Sequence, residues 1–205
     1  MMLAINGIPV VAIELKNQLT GQTVDNAKLQ WQYDRDQREP AFWLNHRILA
    51  YFAVDLYEAW MTTELKGTDT YFLPFNQGSN GAGNDGGAGN PQAEGDNYVT
   101  SYIWENVLQK DSLLDIIQKF ISFEVKTEKK DGKNVTKKRL IFPRFHQLDV
   151  VRKLIADVRE NGSGNNYLIQ HSAGSGKSNS IAWIAYRLAS LHNDDNEPVF
   201  TSVVI

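Results

Sequence analysis

Short apolar runs and turn signals alternate along the first part of the chain. Met2-Leu3-Ala4-Ile5 and Ile8-Pro9-Val10-Val11-Ala12-Ile13 are extended-type runs on either side of Asn6-Gly7. Asn-Gly accepts positive φ at both central positions of a type I′ turn, so residues 2–16 read as a β-hairpin. A two-residue turn there sets Ile5 opposite Ile8, Leu3 opposite Val10 and Met1 opposite Ala12. Residues 24–33 read as a helix. Leu44–Val54 mixes β-rich and other patterns, and 58–63 reads as a strand. In 101–122, Ile103, Val107, Leu113, Leu114, Ile117 and Phe120 recur at helical spacing, and Asp111-Ser112 reads as the N-cap of a second helix. Residues 123–141 read as a charged hairpin around Asp131-Gly132. After Pro143 the pattern predicts a helix over 146–160, a turn at 162–165, a strand over 167–170, a helix over 177–191 and a strand over 199–205. Two strands joined by a helix imply a right-handed crossover and a parallel sheet. The expectation is an α/β chain in two parts, 1–140 and 141–205.

Residues 76–97 break the pattern. Gly78, Gly81, Gly83, Gly86, Gly87, Gly89 and Gly95 lie among Asn, Asp and Ser. Such a stretch buries too little apolar surface to offset its ordering entropy, so a mobile surface loop is the first reading. Bare backbone that wraps a ligand is the second.

Composition narrows the class. With 205 residues, 42% hydrophobic and 22% charged, the chain has the balance of a soluble globular protein. No apolar run approaches the roughly 18 residues of a membrane span, and no signal peptide is evident. The absence of cysteine excludes disulfides and thiolate metal sites and fits a reducing, cytoplasmic compartment. The formal net charge of −3 gives no global attraction to nucleic acid. A local exception is 123–141, where Lys126, Lys129, Lys130, Lys133, Lys137, Lys138 and Arg139 cluster. It reads either as a solvated edge or as a finger that contacts phosphate.

His171-Ser172-Ala173-Gly174-Ser175-Gly176-Lys177-Ser178 follows the apolar run Tyr167-Leu168-Ile169 and precedes Ile181-Ala182-Trp183-Ile184-Ala185. That is the setting of a phosphate-binding loop. Gly174 and Gly176 leave backbone N–H groups free to approach phosphate oxygens, together with Ala173 and Ser175, and the following helix adds its positive end. Lys177 reaches the β- and γ-phosphates, and the Ser178 hydroxyl is placed to ligate Mg²⁺. His171 stands where G-x-x-x-x-G-K-[ST] has glycine. The bland alternative is an ordinary flexible loop.

Glu14-Leu15-Lys16 ends the second run of the first hairpin. Alternation puts Glu14 and Lys16 on one face and Ile13 and Leu15 on the other. A carboxylate that holds Mg²⁺ beside an ammonium that orients water suits phosphodiester cleavage. The tripeptide alone discriminates little, because Glu64-Leu65-Lys66, Glu124-Val125-Lys126 and Glu128-Lys129-Lys130 share its form. A surface ion pair is the competing reading. A PD-(D/E)xK nuclease needs an aspartate on the neighbouring strand, and the predicted register sets that position one or two places before Met1.

Taken together, these segments resemble the R (HsdR) subunit of type I restriction enzymes. The resemblance rests on Asn6-Gly7-Ile8-Pro9-Val10 with Glu14-Leu15-Lys16, on Phe72-Leu73-Pro74-Phe75-Asn76, on Phe142-Pro143-Arg144-Phe145-His146-Gln147, and on 167–180. The family's His-Ser-Ala loop start accounts for His171. The resemblance implies a PD-(D/E)xK nuclease-like domain over 1–140, lacking its N-terminal part, and the start of a RecA-like superfamily 2 helicase lobe over 141–205. It implies ATP and Mg²⁺ as cofactors, duplex DNA as substrate, and methyltransferase and specificity subunits as partners. Gln147 corresponds to the glutamine that reads adenine, with a polar helix-end residue as the alternative. Gln30 corresponds to the extra glutamine of the nuclease motif, with an ordinary polar helix position as the alternative. The family's nuclease aspartate, DExH motif and arginine fingers have no counterpart here, so the expected state is a motor fragment that neither hydrolyses ATP efficiently nor cuts DNA. The rival expectation is a non-catalytic nucleotide-binding module.

Overall fold

The computed structural model describes every residue except Glu94, Asp96, Asp131 and Asp194, together with the side chain of Lys130. The expected turn residue Asp131 therefore lies outside the described residues. The fold is mixed α/β and divides into two compact units, Met1–Phe142 and Pro143–Ile205. Among the described residues, no helix is long and apolar enough to cross a membrane.

The first unit is built on a five-stranded sheet in the order β1(Met2–Ile5), β2(Ile8–Leu15), β3(Ala50–Val54), β4(Ala59–Thr62), β5(Leu73–Pro74). β2 and β3 are parallel and the other pairs antiparallel, so the sheet is mixed. Asn6 (φ 50°) and Gly7 (φ 80°) form the turn of the first hairpin, and Ile5 opposes Ile8. Beyond that the register departs from the two-residue expectation. Ala4 opposes Pro9, but Leu3 opposes Val11 rather than Val10, and Met2 opposes Ala12. Pro9 has no N–H for the ladder, and one extra residue is absorbed beside it as a bulge. Met1 consequently pairs with Ile13, whose N–H donates to the Met1 carbonyl at 2.8 Å.

The central strands are apolar because both of their faces are covered. β3 is buried throughout. One face carries Ala12, Tyr51 and Ala53, on which α1(Val24–Tyr33) lays Val24, Ala27 and Trp31. The Trp31 indole donates to the Phe52 carbonyl at 3.0 Å and fixes how far the helix can slide. On the opposite face Phe52 meets Phe75 and Phe142 edge-on, with centroids 5.2 and 5.9 Å apart.

Residues 101–122 form a π-helical turn (Ile103–Val107) and then α2(Lys110–Lys119). The cap differs from the expected Asp111-Ser112. Gln109 caps α2 by accepting from the Asp111 N–H, while the Ser112 hydroxyl donates back to the Val107 carbonyl at 2.7 Å. Ser112 is thus spent on closing the preceding turn.

The Gly/Asn stretch is pinned rather than loose. Gly78 and Ser79 donate backbone N–H to the carbonyls of Gly89 and Gly87, and Gly78, Gly81, Gly83 and Gly89 all adopt positive φ. Asn76 and Asn90 tie its base. The Asn76 Oδ1 accepts from the Ala59 N–H, and Asn90 donates to the Tyr57 carbonyl, each at 2.8 Å. Hydrogen bonds supply here the order that apolar burial cannot.

β6(Ser122–Lys130) and β7(Lys133–Ile141) form a separate two-stranded ribbon.

The second unit consists of α3(Phe145–Asn161) and α4(Lys177–Ala189) packed on each other, with Leu148, Val151, Ile155 and Val158 of α3 and Trp183 of α4 buried. The predicted strands over 167–170 and 199–205 do not form, and neither does their parallel sheet. Leu168 is 92% and Val204 94% exposed. A parallel strand draws its stability from neighbours on both edges, and these two runs have none beside them. After α4 the chain reverses instead, and the Val199 N–H donates to the Leu191 carbonyl.

Candidate functional site

Two groups of residues singled out by the sequence are assembled, one in each unit. In the first unit Glu14 projects from the end of β2 on the α1 face, next to Ala53 of β3. Lys16 follows on the same face and is held by its N–H to the Val54 carbonyl at 2.9 Å. The ammonium of Lys16 lies 3.9 Å from Glu14 Oε1 and donates to Gln30 Oε1 at 2.5 Å. Gln30 comes from the last turns of α1, so Glu14, Lys16 and Gln30 meet although sixteen residues of sequence separate the first from the last.

Burial separates this E-x-K from the others. The side chains of Glu14 and Lys16 are 14% and 13% exposed, against 32% and 57% for Glu64 and Lys66. Partial desolvation strengthens the interaction of these charges. Lys16 and Gln30 line an open cavity of about 600 Å³ with Gln22, Asn26, Leu29, Tyr33 and Asp34.

Three residues here were not anticipated. Arg35, just past α1, donates to Glu14 Oε2 at 2.7 Å, so each carboxylate oxygen faces a cation. Asp34 brings a carboxylate to the wall of the cavity that Lys16 and Gln30 line. Asp55 is 5% exposed and accepts from the backbone N–H groups of Val24, Tyr57 and Glu58 and from the Gln18 amide. It anchors the N-terminus of α1 to the turn after β3.

Glu14 supplies a single carboxylate with both oxygens engaged. Among the described residues no group of three His, Asp or Glu side chains could hold a metal ion. The residues present therefore do not make a complete Mg²⁺ centre. Met1 pairs with Ile13, so no described residue of the β1 strand stands opposite Glu14.

In the second unit Gly174 (φ 73°) and Gly176 (φ 85°) turn the chain into α4, whose first residues are Lys177 and Ser178. The N–H groups of Lys177 and Ser178 lie in the first helical turn, where no intrahelical acceptor exists. α3 grips the carbonyl side of the loop. Arg144 donates to the Gly174 carbonyl at 2.9 Å, His146 Nε2 lies 3.0 Å from the Ser175 carbonyl, and the Gln147 amide donates to the Gly176 carbonyl at 2.8 Å. The Ser175 N–H is engaged within the loop, donating to the Ser172 carbonyl at 3.3 Å.

Gln147 is 3% exposed, and its Oε1 accepts from the Arg144 N–H. In this conformation both ends of its amide serve loop and helix. A Cβ on Gly176 would lie 2.5 Å from Gln147 Nε2, so glycine is needed there for space as well as for φ.

Lys177 folds back and donates to the carbonyls of His171 and Ser172 at 3.2 and 3.0 Å. Ala173, Gly174 and Ser178 are exposed, whereas Ser175 is buried. Ser175 Oγ and His171 Nδ1 are buried without a hydrogen-bond partner. Orphaned polar atoms in a glycine loop at a helix N-terminus fit a phosphate group. The Ser178 hydroxyl would be one ligand to an Mg²⁺ accompanying it.

His146 and His171 stack edge-to-face at 4.8 Å. Burial is the main force lowering both imidazole pKa values below the usual histidine range, with nearby cations acting in the same sense. A depressed histidine pKa means that the unfolded state binds protons first. Stability is complete above about pH 6.5 and declines as pH falls toward the folded pKa values. Urea midpoints of the wild type should drop between pH 7 and 5.5, and the drop should shrink in His146→Asn. A midpoint flat over that range would contradict the burial of these rings.

Comparison of the chain with protein-family models, curated proteins and solved structures finds no match.

Proposed function

We propose that this chain belongs to an ATP-driven DNA motor carrying a nuclease, of the kind its sequence resembles, the R subunit of type I restriction enzymes. One observation carries the reading. Glu14, Lys16 and Gln30, far apart in sequence, meet at one strand end in a chain that also sets a glycine loop and Lys177 at the head of a helix. A surface ion pair needs no glutamine on the lysine, and a flexible loop needs no clamp from Arg144, His146 and Gln147.

In this reading the first unit is nuclease-like and the second begins a RecA-like lobe. Triphosphate binds the amides between Ala173 and Ser178, and Lys177 leaves its two carbonyl partners for phosphate oxygens. Lys16, held by Gln30, orients water and offsets phosphate charge beside Glu14. Duplex DNA is the substrate, and methyltransferase and specificity subunits supply recognition.

The test is ATP hydrolysis by the intact gene product that contains this chain, with and without duplex DNA, alongside its Glu14→Ala variant. DNA should stimulate hydrolysis. Glu14→Ala should leave it unchanged while DNA cleavage by the assembled enzyme disappears. Hydrolysis indifferent to DNA would remove the motor. Cleavage that survives the substitution would remove Glu14 from the site.

A further inference from the structure

The β6–β7 ribbon is the most basic part of an acidic molecule. Residues 122–141 hold seven cations and three acids, while the whole chain carries a net −3. Lys126, Lys129, Lys133, Lys137, Lys138 and Arg139 are all exposed. Only the foot of the ribbon is rooted in the core, through buried Leu140 and Ile141 and the Thr63 hydroxyl, which donates to the Leu140 carbonyl at 2.9 Å. From there two nine-residue strands run out with no third strand beside them among the described residues. At about 3.4 Å per residue the arm is roughly 30 Å long.

Its register conflicts with its stability. Lys126 lies directly opposite Lys137, a like-charge pair that destabilises a bare ribbon. Glu124 and Glu128 relieve this in part, at 3.6 Å from Lys126 and 3.0 Å from Lys137. The other face sets Lys138 beside Val125 and Lys129 beside Asn134, with no acid among the described side chains of that face. Cations on both faces are poor design for a ribbon that packs on protein, and they suit one flanked by anions on two sides.

We propose that this ribbon is a DNA-binding arm that lies in the major groove of duplex DNA and contacts phosphates on both walls. Two strands about 4.8 Å apart fit a groove about 12 Å wide. Exposed Val125 and Val135, 56% and 38% accessible, lie on opposite faces, so either face turned to the bases presents apolar surface. The choice of DNA rests on the motor reading above; the cationic ribbon does not.

The experiment measures anisotropy of a labelled duplex titrated with the full chain over about 50–200 mM salt. It compares the wild type with a variant carrying Lys126→Gln, Lys129→Gln, Lys137→Gln and Lys138→Gln. Each lost phosphate contact should reduce the slope of log affinity against log salt by about 0.9, so the variant should lose up to about 3–4 in slope. Affinity at low salt should fall at least about tenfold. The circular dichroism melt should not fall, since all four side chains are exposed and the Lys126–Lys137 repulsion is removed. Unchanged affinity and slope would overturn the arm, as would a wild type that binds no duplex. Polyglutamate that competes as well as unlabelled duplex would overturn the assignment to DNA. Nucleotide binding measured on the same samples reports separately on the phosphate loop, so failure of the arm is distinct from failure of the motor reading.

Discussion

Lys177→Ala should weaken triphosphate binding by roughly 10- to 100-fold, the equivalent of a charged hydrogen bond worth about 1.5–3 kcal/mol. In the proposed motor it should lower hydrolysis by at least about 10²–10³, because the ammonium would stabilise charge that grows on the transferred phosphoryl group. The substitution is well placed for a clean result. Lys177 is exposed, its ammonium donates among the described residues to backbone carbonyls of its own loop, and α4 is packed through Trp183 further along. Its removal therefore leaves the fold intact. Lys177→Arg should rescue little, since a planar guanidinium presents its donors in a different geometry from a compact ammonium. Calorimetric titration with nucleotide and a phosphate-release assay give the two readouts. Affinity and turnover both equal to wild type would mean that the loop binds no phosphate.

Asp55→Ala should destabilise the first unit by roughly 3–5 kcal/mol, a large part of the 5–15 kcal/mol typical of a domain. Asp55 ends four hydrogen bonds at once. Three are short backbone contacts to Val24, Tyr57 and Glu58 at 2.8 Å, and the fourth is to the Gln18 amide at 3.3 Å. Alanine leaves those N–H groups unpaired where water has little access, at about 1–3 kcal/mol for each one that stays buried. Asp55→Asn keeps an acceptor oxygen and should cost less. The consequence extends beyond stability. Val24 opens α1, and α1 carries Gln30 and leads to Arg35, so a loosened helix start should also disorder the contacts on Lys16 and Glu14. Urea midpoints and amide exchange at Val24 measure both effects. A shift below about 1 kcal/mol would show that Asp55 is merely a surface turn residue.

Much of the local structure was legible because it depends on neighbours in sequence. Asn6-Gly7 specifies its turn through backbone sterics alone. The apolar spacing Leu148, Val151, Ile155 and Val158 marks α3, and Gly174 and Gly176 mark a place where the backbone adopts positive φ. The hairpin register was read incorrectly because Pro9 removes a ladder donor and the chain absorbs it in a bulge. The strands at 167–170 and 199–205 were expected from apolar content, but apolar content does not create a pairing partner. The Gly/Asn loop was expected to be loose, and its anchors, Asn76 and Asn90, act through carbonyls and amides of β4 and the turn before it.

By itself the sequence determined which side chains could share a face. Alternation along β2 put Glu14 with Lys16, and the helix-opening position put Lys177 at a positive end. Only the tertiary structure decided which of several E-x-K tripeptides is largely buried against Gln30, that Arg35 occupies the second carboxylate oxygen, and that Asp55 holds the helix start. The physical reason is range. Steric and periodic preferences act over a few residues, whereas desolvation and charge pairing depend on which distant segments the packed sheet brings together.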